Sequence, residues 1–100
     1  MTTIKLNHQQ KVLFEQILIN SLAEHERLFK KGENMIADMQ FETIQKFLNQ
    51  IENDNYSFKP MELNFVLNGF LDLLEPYPEN SPHNGTKLFK SVIKTIKEQL

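Results

Sequence analysis

The longest helical segment of this chain is NHQQKVLFEQILINSLAEHERLFKKG, residues 7–32. Its apolar residues recur every three or four positions, which places them on one broad face of a helix at about 100° per residue. Asn7 is a favourable N-cap and Gly32 is a favourable residue after a helix end, so the stretch predicts a helix over about 8–31. The side chains predicted to face the core are Leu6, Leu13, Phe14, Ile17, Leu18, Leu22, Leu28 and Phe29.

Three further segments repeat the helical period, and none alternates strictly as a half-buried strand would. They predict helices over about 36–53, about 60–74, and from either Pro82 or Thr86 to about residue 99. Asn34 and Asp38 are alternative caps for the second helix. The side chains predicted to face the core are Ile44, Phe47, Leu48, Ile51, Leu63, Val66, Leu67, Phe70, Leu71, Leu74, Leu88, Phe89, Val92, Ile93, Ile96 and Leu100, with Ala37 and Phe41 at the margin.

Four amphipathic helices joined by short links predict one all-α domain, residues 1–100, built as a small antiparallel four-helix bundle. An irregular orthogonal packing of the same helices is the alternative. The residues predicted to be buried together are Phe14, Leu18, Phe47, Leu67, Phe70, Val92 and Ile96.

Composition narrows the location and the chemistry of the protein. The chain has no cysteine, which excludes disulfide frameworks and cysteine-ligated metal sites. The longest apolar runs are three residues, against about 20 for a membrane span, and the N-terminus lacks the features of a signal peptide. We therefore expect a cytoplasmic protein that does not contact a membrane. Ten lysines against one arginine, with ten asparagines, are typical of AT-rich coding and favour a bacterial or phage origin.

The sequence carries no recognisable catalytic motif. It has no phosphate-binding loop, dinucleotide fingerprint, nucleophile elbow or calcium loop, and its three histidines do not form a helical metal-binding pair. His25 falls on the core face of the first helix, where we expect a hydrogen-bonded, neutral, buried histidine rather than a ligand or base. We therefore expect no catalytic residues, no cofactor and no metal, so that the protein is not an enzyme.

The net charge of −2 conceals a segregation of charge along the chain. Residues 1–31 carry net +2, residues 32–79 carry net −7 and residues 80–100 carry net +3. This segregation has two interpretations. The terminal and middle helices attract one another within the bundle, or the acidic middle helices present a face to a basic partner.

A row of lysines follows one side of the fourth helix. Lys87, Lys90, Lys94 and Lys97 recur every three or four positions, so they project together, opposite the apolar stripe. Such a row can follow a phosphate backbone, but this one has no arginine for base contacts and no interleaved aromatic residue for stacking. We interpret the row as a solvated face, with anion binding as the alternative.

Several large apolar residues fall outside the predicted core faces. Val12, Ile19 and Ala23 form one such stripe on the first helix. Either these helices are buried on more than one side, or an exposed apolar surface binds a partner or a second copy of the chain. The residues predicted to bind a partner are Tyr56, Phe58, Met61, Phe65, Met35 and Met39.

Together these features favour a non-enzymatic protein–protein interaction module, such as a small regulator or inhibitor, whose partner is another protein. Two alternatives stay open. One is a nucleic-acid-binding accessory protein that uses the lysine row, and the other is a homodimeric assembly protein.

Overall fold

The computed structural model describes residues 1–75 and 86–100, and within them it confirms an all-α fold of four packed helices. The helices are α1 (His8–Leu28), α2 (Met35–Glu52), α3 (Pro60–Leu74) and α4 (Thr86–Glu98), and two very short strands accompany them, β1 (Thr2–Thr3) and β2 (Ser57–Phe58). The alternative start of the fourth helix near Pro82 lies outside the described residues, as does His83.

Asparagine side chains cap the first two helices. The Oδ1 atom of Asn7 accepts a hydrogen bond from the backbone N–H of Gln10 at 2.8 Å, and the Gln10 side chain accepts one from the backbone N–H of Asn7 at 2.9 Å. At α2, Asn34 accepts from the backbone N–H groups of Ile36 and Ala37. Each cap satisfies amide groups that have no partner inside the helix. Asn34, rather than Asp38, is therefore the cap of α2.

The link between α1 and α2 begins earlier than the sequence predicts, because α1 ends at Leu28 instead of continuing to residue 31. Gly32 adopts a φ of +84°, a conformation that glycine tolerates best, within the turn that reverses the chain. The backbone N–H of Gly32 donates a hydrogen bond to the Asp38 carboxylate at 2.9 Å. Asp38 therefore does not cap α2, but its side chain connects the link to that helix.

Helices α1 and α3 are the central elements, since each of them contacts the other three helices. Helices α2 and α3 run antiparallel. Lys46 forms an ion pair with Glu62 at 3.1 Å, and a β-carbon at Gly69 would lie 2.5 Å from the Nε2 atom of Gln40. These two contacts place residues 40–46 alongside residues 62–69.

The predicted core is confirmed, because all seven residues expected to be buried together are at most 3% exposed and belong to one cluster. Two residues of the predicted core faces are exceptions. Leu28 is 44% exposed and Leu88 is 51% exposed. Both lie at helix ends, Leu28 as the last residue of α1 and Leu88 in the first turn of α4, where the helical period continues beyond the surface that covers it.

Two two-residue strands lie outside the four segments that the periodicity predicts to be helices. Thr2 pairs with Phe58 and Thr3 with Ser57 in antiparallel register. Periodicity does not detect such a pair, because two residues carry no measurable alternation. The pairing brings Ile4 into the core, where it is 3% exposed.

Phe58 also lies in the core, at 1% exposure, so its assignment as a partner-binding residue is wrong. Its ring packs edge-on against Phe47, with ring centroids 4.8 Å apart, and against Phe14 at 5.7 Å. Edge-on aromatic pairs of this kind are favourable. The link between α2 and α3 therefore contributes a core side chain instead of a surface anchor.

Candidate functional site

Three large apolar side chains are exposed together at the start of α2. Met35 is 78% exposed, Ile36 is 62% exposed and Met39 is 53% exposed. Met35 and Met39 are four residues apart and share a helix face, and Ile36 lies beside them. The Asn34 cap fixes this first turn as helix. A cluster of exposed apolar residues is more informative than isolated ones, because such clusters mark binding surfaces.

Ile36 was not among the residues that the sequence predicted to bind a partner. At about 100° per residue it lies between the core face of α2 and the face that carries the two methionines. Periodicity alone assigns such a position to neither side. The sequence feature that could have indicated its exposure is its position in the first turn of the helix, because the buried face of a helix often does not extend to its first turn.

Met61 and Phe65 lie on the neighbouring helix, α3. Met61 is 85% exposed, while Phe65 is half-buried and is not among the side chains that pack on the core cluster. The antiparallel register places Phe65 beside residue 43 of α2. By helical position, Phe65 and Met39 both lie outward from the core and next to the α2–α3 contact. We call Met35, Ile36, Met39, Met61 and Phe65 the outer α2–α3 surface.

Tyr56 lies apart from this surface. It is half-buried against the core, with its ring centroid 6.3 Å from that of Phe14. The Nζ atom of Lys11 lies 4.7 Å from the Tyr56 ring centroid, close enough for a cation–π contact. Burial raises the pKa of the Tyr56 hydroxyl above its usual range, although the positive charge of Lys11 opposes the shift. Tyr56 therefore joins α1 to the link between α2 and α3.

Acidic side chains border the outer α2–α3 surface. On α2, Asp38 and Glu42 occupy helical positions beside Met35 and Met39, and on α3, Asp72 is next to Phe65 in helical projection. They belong to the segment of net charge −7. The surface thus has an apolar centre with acidic neighbours on both helices, and one ion pair, Lys46–Glu62, crosses it between Met39 and Met61.

A cavity of about 470 Å³ lies at the junction of α1 and α2, partly open to solvent. The apolar part of its wall comes from Phe29, Ala37 and Phe41. Its charged lining residues are Glu26, Asp38, Glu42 and Lys31, and His25 and Gln45 complete the lining. Periodicity does not indicate this cavity, because its volume depends on where α1 ends and where α2 begins.

His25 is 6% exposed, and burial lowers the pKa of its imidazole below the usual range, which favours the neutral ring. The preference for the neutral form agrees with the sequence analysis. The expected hydrogen bonding does not extend to the Nδ1 atom, which has no partner in the described parts of the chain. The same is true of the hydroxyl of Ser21, one helical turn earlier. The ring of Phe29 packs on that of His25, with centroids 5.8 Å apart.

The lysine row lies along α4 as the periodicity predicts. Lys87 and Lys94 are exposed, and Lys90 and Lys97 are half-buried. Lys97 donates a hydrogen bond to the Asn68 side chain of α3. On α1, Val12 and Ile19 of the predicted apolar stripe are 47% and 41% exposed.

Residues 1–75 and 86–100 contain neither a group of metal-ligating side chains nor a membrane-spanning helix. No group of three or more acidic or histidine side chains is arranged to hold a metal ion. No helix in these residues combines the length and the apolar character needed to cross a bilayer. Comparison of the chain with protein-family models, with curated proteins and with solved structures finds no match.

Proposed function

We propose that this domain is a non-enzymatic protein–protein interaction module, a small regulator or inhibitor, that binds its partner through the outer α2–α3 surface. The observation that carries the proposal is the exposure of Met35, Ile36 and Met39, all above half, at adjacent positions in one helix. Exposed apolar side chains lose contact with water when a partner covers them, and this loss provides a large part of the binding free energy.

The chemistry of the surface describes the partner. Methionine side chains are flexible and polarizable, so they adapt to an apolar surface of irregular shape. The acidic border favours basic side chains around the apolar centre of the partner and disfavours acidic ones. The partner is therefore a protein with an exposed apolar patch surrounded by lysine or arginine.

The test is photo-crosslinking in the cells that produce the protein. A photoreactive amino acid at position 39 is expected to capture one partner protein, and the same group at position 88 is the matched control. Leu88 is also about half exposed, at 51%, but it lies on α4. Products that appear equally at positions 39 and 88 would contradict the proposal. A product that contains only this chain would identify a homodimer instead.

Substitutions sharpen the test. The double variant Met35→Gln, Met39→Gln is expected to lose the crosslinked product while keeping its helical circular dichroism, because both side chains are exposed. Leu88→Gln is expected to keep the product. Phe65→Asp separates the surface from the core: a folded variant without capture supports a role for Phe65 in binding, whereas an unfolded variant assigns Phe65 to the core and limits the surface to α2.

Nucleic-acid binding through the lysine row is the second candidate. The observation in its favour is that Lys87, Lys90 and Lys94 form no ion pair with any described residue. We expect little retention on heparin or duplex DNA at physiological salt, because the row lacks arginine and stacking residues. Tight retention that falls steeply with salt, and that is lost in Lys90→Glu, Lys94→Glu, would make this candidate the first.

A further inference from the structure

We propose that the cavity between the end of α1 and the start of α2 binds an organic cation, a protonated amine or a guanidinium group carried on a flat or apolar body. The cavity lies on the opposite side of Asp38 and Glu42 from the methionines, so this site does not depend on the proposed function. Its volume of about 470 Å³ is in the range of pockets that hold small ligands.

The charge of the lining selects the sign of the ligand. Three acidic residues, Glu26, Asp38 and Glu42, line the cavity together with one basic residue, Lys31, and the Asp38 carboxylate also accepts a hydrogen bond from the backbone N–H of Gly32. An anion would meet this excess of negative charge, whereas a cation is attracted by it. A metal ion is a poorer fit, since the acidic and histidine side chains in the described parts of the chain are not grouped as metal ligands.

The aromatic rings of the cavity wall favour a ligand whose uncharged part is flat or apolar. Phe29 and Phe41 both line the cavity, and the Phe29 ring is in contact with the ring of His25. The faces of aromatic rings attract cations and also cover flat or apolar groups. A fully hydrated inorganic cation uses neither property, and an amine on an apolar body uses both.

His25 provides a second, independent indication of a ligand. Its side chain is 6% exposed and lines the cavity, and its Nδ1 atom has no hydrogen-bond partner among residues 1–75 and 86–100. Leaving a buried polar atom unpaired is unfavourable, so a ligand donor that reaches the His25 ring would gain free energy by pairing with it. The ring favours its neutral form, which offers an acceptor nitrogen and adds no positive charge against a cation.

The test uses benzylamine, which is protonated at neutral pH, and its uncharged analogue benzyl alcohol. In nitrogen–proton correlation spectra of the full chain, benzylamine is expected to shift the amide signals of residues 25–31 and 37–45. Benzyl alcohol is expected to bind at least about fivefold more weakly, because it lacks the charge that the carboxylates attract. Equal binding of the two compounds, or an absence of shifts with benzylamine, would overturn the proposal.

Matched variants assign the binding to the cavity. Glu42→Gln removes one carboxylate of the lining and keeps the shape of the side chain, and it is expected to weaken benzylamine binding about fivefold. Glu52→Gln, an exposed position at the other end of α2, is expected to leave the affinity unchanged. Phe41→Leu is expected to weaken binding while the chain stays folded. If Glu42→Gln and Glu52→Gln had the same effect, the cation would be responding to net charge, and the site would be rejected.

The same cation can reach the cavity as a free amine or as a basic side chain of a protein. A blocked arginine, N-acetyl-arginine amide, represents the protein source, and it is titrated beside benzylamine under the same conditions. Tighter binding of the blocked arginine identifies a protein side chain as the natural occupant, and tighter binding of benzylamine identifies a free amine. Binding of either compound that depends on Glu42 supports the site, and binding of neither overturns it.

Discussion

The two ends of the α1–α2 hairpin differ in how completely they are packed. We call the end away from the connecting link the closed end. There, Phe14 of α1 and Phe47 of α2 enclose Phe58, and the three side chains are at most 1% exposed. We call the end at which the link joins the two helices the open end. There, the same two helices leave a cavity of about 470 Å³, beside which His25 is buried. One pair of helices is therefore a dense core at one end and a lined cavity at the other.

The polar groups of the two ends differ in the same way. At the closed end, the amide of Ile4 donates to the carbonyl of Tyr56 at 3.0 Å, and the Gln50 side chain donates to the carbonyl of Ser57 at 2.8 Å. At the open end, the hydroxyl of Ser21 and the Nδ1 atom of His25 are buried without a partner among the described residues. Unpaired buried polar atoms lower the free energy of unfolding. The closed end thus stabilises the fold, whereas the open end keeps two buried polar atoms, in Ser21 and His25, that lower the free energy of unfolding.

The largest expected effect is at the closed end. Phe58→Ala removes a ring that is 1% exposed and in contact with two others, so we expect a loss of about 3–5 kcal/mol in the free energy of unfolding. Phe41→Ala, on the cavity wall at the open end, is expected to lose about 1 kcal/mol, since its ring is only half-buried. Urea unfolding followed by circular dichroism measures both.

Phe58→Leu keeps this comparison measurable if Phe58→Ala leaves too little folded protein, because a loss of this size is a large part of the stability of a small domain. Its loss is expected to lie between those of the two alanine variants. A Phe41→Ala loss as large as that of Phe58→Ala would show that the two ends are packed equally well, and the distinction between them would be abandoned.

The closed end also shows where sequence reasoning stops. Phe14 and Phe47 were predicted to be buried because a helical period repeats over several turns, so each position is supported by its neighbours. Phe58 lies in a short link without a period, and its burial depends on a pairing with Thr2, more than fifty residues earlier. A partner so distant in sequence leaves no local pattern. The composition of the link indicates a turn, but it does not indicate whether the Phe58 side chain is buried or exposed.

The candidate sites were predictable to a similar extent. Met35, Met39 and Met61 were recognised as lying off the core faces, and all three are exposed. The cavity was not predictable, because its volume follows from where α1 stops and how the link of residues 29–34 turns. His25 was placed on the core face by periodicity, but no sequence pattern states whether the Nδ1 atom of a buried histidine finds a partner.

A smaller effect of opposite sign is expected from Ser21→Ala at the open end. Ser21 is 1% exposed and its hydroxyl has no partner in the described parts of the chain, so removing the oxygen is expected to raise the free energy of unfolding by about 1 kcal/mol. Alanine is also the better helix former, which Ser91→Ala on the exposed face of α4 measures separately. If Ser21→Ala were less stable than the wild type while Ser91→Ala was not, the hydroxyl would have a partner, and the open end would be as well satisfied as the closed end.

The smallest expected effect is a dependence of stability on pH that originates at His25. Burial lowers the pKa of this histidine in the folded state from the ordinary value of 6.5. The unfolded chain therefore takes up the proton first as the pH falls, and in that interval the free energy of unfolding decreases. The contribution is complete above about pH 6.5 and is lost once the pH is below the pKa of the folded state.

Urea unfolding at about pH 7.5 and about pH 5.5 measures this dependence, and His25→Leu removes it. The variant is expected to lose less stability than the wild type between the two pH values, since leucine has no proton to gain. His8→Asn is the matched control, because His8 is exposed at the start of α1, and it is expected to behave as the wild type. An equal decrease in His25→Leu and in the wild type would assign the pH dependence to other groups. The buried imidazole would then be no more sensitive to protons than the aromatic cluster at the closed end, and the contrast between the two ends would be limited to packing.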